Sequence, residues 1–229
     1  MQDKPTNLPT TRPDGQSLKP LPQLVLERRA TSEFLPDEVP EPYLNAILRI
    51  GAQAPSGYNL QPWRFIVVRD EANRQRLQRA AFNQPKVAQA PVVIIAHGMK
   101  EEWKRRADEV FREGAERGAG KVETWQQYRD GAFQFLEGMQ HMPTWVNRHT
   151  MIAFTTMMLA AEAYGFDTAP MEGFDAAAVR REFGIPDEAE VCALLAIGRA
   201  KAPDKAYPGR FALDRIVFSE RYGEAWPSD

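Results

Sequence analysis

Apolar positions recur along this chain in two rhythms, and the way the rhythms alternate predicts its architecture. Between Glu41 and Gln53, Leu44, Ile47, Leu48 and Ala52 return at three- and four-residue spacing behind Pro40 and Pro42, which predicts an amphipathic helix. Arg64 to Val68 reads as a strand, and Glu71 to Ala81 as an exposed helix rich in Arg and Gln. Pro91 to His97 is a nearly all-apolar strand, the kind covered on both faces. From about Lys100 to Val146 the pattern is helical, charged and irregular, with Trp103, Trp125, Tyr128, Phe133, Phe135 and Trp145 among polar residues. Met151 to Tyr164 is apolar around most of its circumference, so it predicts a helix in a core or an interface, stopped by Gly165. Asp175 predicts the N-cap of a short helix ending at Phe183 and Gly184, and Val191 to Gly198 a third strand. Ile216-Val217-Phe218 is a short apolar run with no neighbour in sequence, a tail expected to pair elsewhere, a second chain included. Helices alternating with a few strands predict an α+β sandwich, helices packed on a central sheet.

The two ends and the composition refine this picture. Residues 1–22 hold Pro5, Pro9, Pro13, Pro20 and Pro22 with almost no apolar pattern, which predicts a Pro-rich, flexible arm. Residues 23–229 are then expected to form one domain, with 100–148 as a helical insert. A formal net charge of -2, with Lys and Arg spread along the chain, provides no field for holding nucleic acid or an anionic membrane. The single cysteine, Cys192, lies in the run Val191-Cys192-Ala193-Leu194-Leu195 and reads as a small buried hydrophobe. One thiol builds neither an internal disulfide nor a thiolate metal site. No segment approaches the roughly 18 apolar residues of a membrane span. Met1-Gln2-Asp3-Lys4-Pro5 lacks a signal-peptide pattern, so a cytoplasmic location is expected.

Acid–base and metal chemistry find no obvious carrier. There is no G-x-G-x-x-G, no phosphate-binding G-x-x-x-x-G-K loop and no G-x-S-x-G elbow. His97, His141 and His149 lack a metal spacing and are expected to be solvated or locally bonded. That directs attention to a bound cofactor, and three segments suit an anionic planar ligand. Arg28-Arg29-Ala30-Thr31-Ser32 offers two guanidinium forks beside hydroxyl and backbone donors, the chemistry of a phosphate site. Ala54-Pro55-Ser56-Gly57-Tyr58-Asn59-Leu60-Gln61-Pro62-Trp63 is a stiffened loop in which Asn59 and Gln61 carry paired donors and acceptors for the edge of a heteroaromatic ring. Ala169-Pro170-Met171-Glu172-Gly173-Phe174-Asp175 reads as a helix-entry loop with free backbone N–H groups ahead of a helix N-terminus.

With these segments in the motifs R-R-x-[ST]-x-x-F, A-P-S-x-x-N-x-Q-P-W and P-x-E-G-F-D, the chain resembles the nitroreductase family of flavoproteins from about Leu24 to Glu220. The last motif narrows the likeness to the oxygen-insensitive NAD(P)H nitroreductase and dihydropteridine reductase branch, and Asn83-Gln84-Pro85-Lys86 looks like a further family segment. The resemblance implies helices around a mostly antiparallel sheet, an intertwined homodimer, FMN as cofactor and NADH or NADPH as reductant. It implies that Arg28, Arg29 and Arg210 hold the FMN phosphate, while Ala30 and Ser32 approach the ribityl chain or pyrimidine edge. Pro55, Ser56, Gly57 and Asn59 would come from the partner chain, and Asn83 and Lys86 would meet the pyrimidine edge. Pro170, Met171, Glu172 and Gly173 would cover one ring face, with the N–H of Glu172 or Gly173 directed at N5. Tyr58 and Phe135 are the candidate walls of a substrate slot. Ser32 and Pro208 stand where relatives carry basic side chains, which should shift the flavin potential and weaken the hold on a nicotinamide phosphate. The implied activity is ping-pong reduction of nitroaromatic, quinone or activated alkene acceptors. Reductive dehalogenation, flavin fragmentation and flavin binding without turnover are the alternatives on the same frame.

Overall fold

The computed structural model describes residues 7–119, 121–203 and 205–227. A four-stranded sheet occupies the middle: β1 (Trp63–Val68), β2 (Val92–Met99), β3 (Asp167–Met171) and β4 (Ala189–Gly198), in the order β1-β2-β4-β3 with every pairing antiparallel. β2 and β4 are central and buried almost throughout, as their unbroken apolar runs predict. Their side chains alternate between two cores. Val93, Ile95, Leu194 and Ala196 join Val68, Met171, Leu77, Val87 and Val179 beneath α3 (Glu71–Ala80), α4 (Pro85–Gln89) and α8 (Ala176–Phe183). Val92, Ile94, Ala193, Leu195 and Ile197 face Leu44, Ile47, Phe154 and Met157 of α2 (Glu41–Gly51) and α7 (Met142–Ala163). Helices thus cover both faces, which is the α+β sandwich expected from the sequence.

Several elements depart from the sequence reading. The helix expected to start at Met151 begins at Met142, with Pro143 in its first turn, a position where a missing N–H costs nothing. Asp167–Met171, read largely as a helix-entry loop, is strand β3. Its Pro170 hid the strand, yet β3 lies at the sheet edge, where a proline is tolerated. The lead-in starts a helix at Leu21, α1 (Leu21–Glu27). Before it, residues 7–20 lie against their own chain: Leu8 and Leu18 pack on the α2–α7 core, and Tyr164 donates its hydroxyl to Pro9 O at 3.2 Å. Residues 1–6 of the expected arm lie outside the described residues. The Ile216–Phe218 run pairs locally, through an antiparallel Phe218–Ala225 bridge and a bond from Trp226 N to Val217 O of 3.2 Å.

The irregular region resolves into α5 (Trp103–Glu116), α6 (Val122–Glu137) and the start of α7. Its aromatics build a third core of Trp103, Phe111, Ala132, Leu136, Trp145 and Val146. Leu60 from the loop before β1 is fully buried in that core. Burial of one leucine stabilises by about 2 kcal/mol, enough to fasten the loop to the insert. No helix among the described residues is long and apolar enough to cross a membrane.

Candidate functional site

Strand β3 organises the first half of the site. Its outer edge carries the Arg28–Ser32 segment, through a parallel Ala30–Thr168 bridge and a bond from Thr31 N to Thr168 O of 3.0 Å. Beyond Met171 the chain turns outward, Glu172 and Gly173 are exposed, and Asp175 caps α8 by accepting from Ala177 N and Ala178 N. Gln84 donates to Gly173 O at 2.7 Å, which draws the Asn83–Lys86 segment to the same place. Asn83 is exposed, with φ 57°, and its N–H closes on Gln78 O at 2.9 Å. Three of the four segments singled out in sequence therefore converge on one sheet edge. Met171 is an exception in part, because its side chain is buried in the α3–α8 core and only its backbone is left for a ligand.

Sequence reasoning missed the cation that completes this edge. Lys205 lines a hollow of about 110 Å³ with Ala30, Thr31, Ser32, Glu33, Ala202 and Pro203. Burial, and after it the charge of Lys205, pushes the Lys86 ammonium below its ordinary range. Lys205 thus brings a positive charge beside Ser32. Arg28 and Thr31 also have polar atoms, Nη1 and Oγ1, that are buried without a hydrogen-bond partner. Buried donors left unpaired cost free energy, and an anionic, oxygen-rich ligand at the adjoining surface is one way to recover it. Arg29 and Arg210 meet at the ring of Tyr207, with Cζ to centroid distances of 4.7 and 5.6 Å.

The Pro55–Pro62 loop lies elsewhere. It feeds β1, at the sheet edge opposite β3, and at the end marked by the Trp63–Gly98 pair. Arg28–Ser32 sits beside Thr168, at the end marked by the Thr168–Ile197–Val92 row. Three strand spacings across the sheet are about 14 Å and six residues along β2 are about 20 Å, so the two groups occupy diagonally opposite corners. Within the loop, Ser56 Oγ accepts from Gln61 N at 2.9 Å, and Gln61 Nε2 donates to Asn59 O at 3.2 Å. These amides serve the loop's own geometry as well as any ligand. Gly57 leaves room for Trp145 and His149, whose side chains a Cβ there would meet at 3.4 and 3.2 Å. Arg64, ion-paired with Glu102, and Arg106 both reach Gln61 O, tying the loop to α5. Phe135 of α6, exposed, stands 6.1 Å from the half-buried Tyr58, ring to ring, so both candidate slot walls are on the loop's side of the molecule.

Backbone strain gives an independent marker. Tyr58, Asn59, Gln61, Phe82 and Asn83 all hold positive φ, and among the described residues only Glu220 joins them outside glycine. A bulky residue such as Tyr58 at φ 53° is held there only by its surroundings, and such residues gather at functional sites.

The remaining titratable candidates are elsewhere. His97, expected to be solvated or locally bonded, is buried; burial, then the charge of Arg64, pushes it down to about 4. His149 Nδ1 lies 2.8 Å from Trp145 O, the expected local bond, and His141 is exposed. Cys192 is buried in β4 and its thiol is pushed up to about 12 by burial. No group of three or more His, Cys, Asp or Glu suited to a metal ion occurs among the described residues.

A helix-covered antiparallel sheet with a cation-rich, donor-rich edge strand defines the class: an α+β sandwich suited to an anionic ligand. Comparison with known proteins names the family. The nitroreductase family model matches residues 25–199, and the chain belongs to that family. A Thermus thermophilus protein named NADH dehydrogenase is 37% identical over 193 residues, 84% of this chain and 92% of its own. The crystal structure of the Bacillus subtilis nitroreductase-type protein YdfN superposes with a TM-score of 0.79 at 30% identity, covering 86% of this chain and 97% of that one. An Exiguobacterium sibiricum protein of nitroreductase type, solved in complex with FMN, shares the fold with a TM-score of 0.81 at 24% identity, covering 90% and 99%.

Proposed function

We propose that the chain is an FMN-dependent reductase that takes hydride from NAD(P)H and delivers it to a nitroaromatic, quinone or activated alkene, working as a homodimer. The observation that carries this reading is the convergence of Arg28–Ser32, Asn83–Lys86 and Pro170–Gly173 on the edge of β3, with Arg28 Nη1 and Thr31 Oγ1 buried and unpaired beside it. When bound, FMN would supply the hydride carrier between nicotinamide and acceptor. Everything else falls to the protein. Arg28, Arg29 and Arg210 hold the phosphate, and Ala30 and Ser32 leave space for the ribityl chain. Lys86, with Lys205, places positive charge at the pyrimidine edge, where reduction adds negative charge; Asn83 hydrogen-bonds there. The backbone of Pro170–Gly173 covers one ring face and aims an N–H of Glu172 or Gly173 at N5.

The separation of the loop from the β3 edge supports a second half of the site drawn from a partner chain. A flavin lying along the β3 edge is the width of the sheet, about 14 Å, from Pro55, Ser56, Gly57 and Asn59 of the same chain, and its phosphate end at Arg28–Ser32 is diagonally opposite them. A two-fold dimer brings one chain's loop to the other chain's cradle and yields two equal sites. Tyr58 and Phe135 then travel with the loop and wall the slot over the partner's flavin, positioning flat acceptors and excluding water.

The test is anaerobic titration of the purified, FMN-loaded protein with NADH and NADPH, followed by an acceptor. Loss of flavin colour with nicotinamide and its return with a quinone or nitroaromatic are expected. A protein that binds FMN yet keeps its colour with both nicotinamides is a carrier, and the reductase reading falls.

A further inference from the structure

Two arginines assigned to the phosphate come from distant parts of the chain and depend on different anchors. Arg29 follows α1, and its Nη1 donates to Leu26 O at 2.8 Å, Glu27 O at 3.0 Å and Arg28 O at 2.8 Å. Those bonds fix one end of the guanidinium and leave the Nε–Nη2 edge outside them. Arg210 sits in a stretch without regular structure, just after Gly209, whose φ of 86° turns the chain, and among the described residues its Nη1 donates to that neighbouring carbonyl, at 2.7 Å. Local bonding of this kind does not hold a long side chain against a distant one. The aromatic ring of Tyr207 does: Arg29 Cζ lies 4.7 Å from its centroid and Arg210 Cζ lies 5.6 Å from it.

Two guanidinium groups gathered on one ring repel each other. The negative face of the ring offsets part of that repulsion, and a shared anion offsets the rest. We propose that Tyr207 is a positioning residue for the flavin phosphate, its ring holding Arg29 and Arg210 together as one anion clamp and so selecting the phosphorylated flavin. This rests on the FMN reading above. Pre-placing both forks removes the ordering cost that a free Arg210 would meet on binding. The same ring fastens the segment around residue 207 to the cradle through Arg29.

The experiment measures dissociation constants for FMN and riboflavin, by quenching of flavin fluorescence, in the full-length wild type, Tyr207→Ala and Tyr207→Phe. Tyr207→Ala is expected to weaken FMN about tenfold while leaving riboflavin within about twofold, and Tyr207→Phe, which keeps the ring, to retain FMN affinity. Equal weakening of both flavins, unchanged FMN binding in Tyr207→Ala, or a Tyr207→Phe as weak as Tyr207→Ala each overturn the inference. A wild type that binds neither flavin overturns the FMN reading and the inference together, whereas an FMN-binding wild type matched by Tyr207→Ala overturns the inference alone.

Discussion

At the scale of single residues, the most unusual group is Glu162, in the last turn of α7. It is buried, and Thr168 Oγ1 donates to its Oε1 at 2.6 Å. Burial pushes its carboxyl up from 4.5 to about 7; Asp167 pushes the same way, while the Thr168 bond, Arg28 and Lys19 pull it down. A carboxyl raised on folding binds its proton more tightly in the native state. The stability it contributes is present below about 4.5 and is lost as pH rises through about 7, roughly 3 kcal/mol in total at 1.36 kcal/mol per unit. Glu162→Gln keeps the shape and an acceptor for Thr168 but cannot ionise. Thermal unfolding should find the two proteins similar near about pH 5 and the variant more stable by about pH 8. Parallel pH profiles would show that Glu162 is not the group responsible. Nothing in the sequence pointed to it, because a lone Glu in an apolar helix reads as a surface residue until β3 closes over it. Arg28, Asn59 and Gly173 could be singled out as candidates because each stands in a short motif whose chemistry is local. Lys205 and Tyr207 were not, since their stretch has no periodicity and acts only through residues far away in sequence.

Among elements, β2 and α7 meet in close contact. A Cβ on Gly98 would run into Val146 Cγ1 and come within 2.7 Å of Thr150 Oγ1. The strand and helix therefore touch backbone to side chain at the end where the Pro55–Pro62 loop is anchored. Gly98→Ala is expected to destabilise the fold by about 1–3 kcal/mol, lowering the melting temperature by several degrees. Calorimetry of the variant decides it, and an unchanged melting temperature would mean that α7 yields without cost. Elements with strong local signals were read well: α2 with its prolines, α8 between Asp175 and Gly184, and the apolar runs of β2 and β4. β3 and the start of α7 were missed because each contains a proline, and neither carries an apolar rhythm strong enough to outweigh it. In β3 the sheet edge absorbs it, and in α7 it begins the helix.

Over the whole molecule, the feature of widest consequence is the separation of the Arg28–Ser32 corner from the Pro55–Pro62 loop, which in the proposed homodimer divides each site between two chains. It predicts complementation between defective chains. Arg29→Ala and Asn59→Ala homodimers should each lose most turnover, but for unlike reasons. Refolded together in equal amounts, half of the dimers become mixed, and each mixed dimer holds one site free of either change, so about a quarter of native sites return. Recovery no greater than the average of the two parents would place the loop and the cradle in one chain's site. No pattern in the sequence exposes this separation, because it depends on strand order, and strand order on how β1 and β3 flank the two apolar strands.

The same corners tie the cofactor to encounter. In the proposed homodimer, a chain newly released from the ribosome would carry only halves of two different flavin sites. Such a chain is expected to hold FMN weakly until a second chain arrives, so that the fraction of protein that is yellow rises with protein concentration. Dilution alone would bleach a preparation by letting flavin go, without unfolding anything.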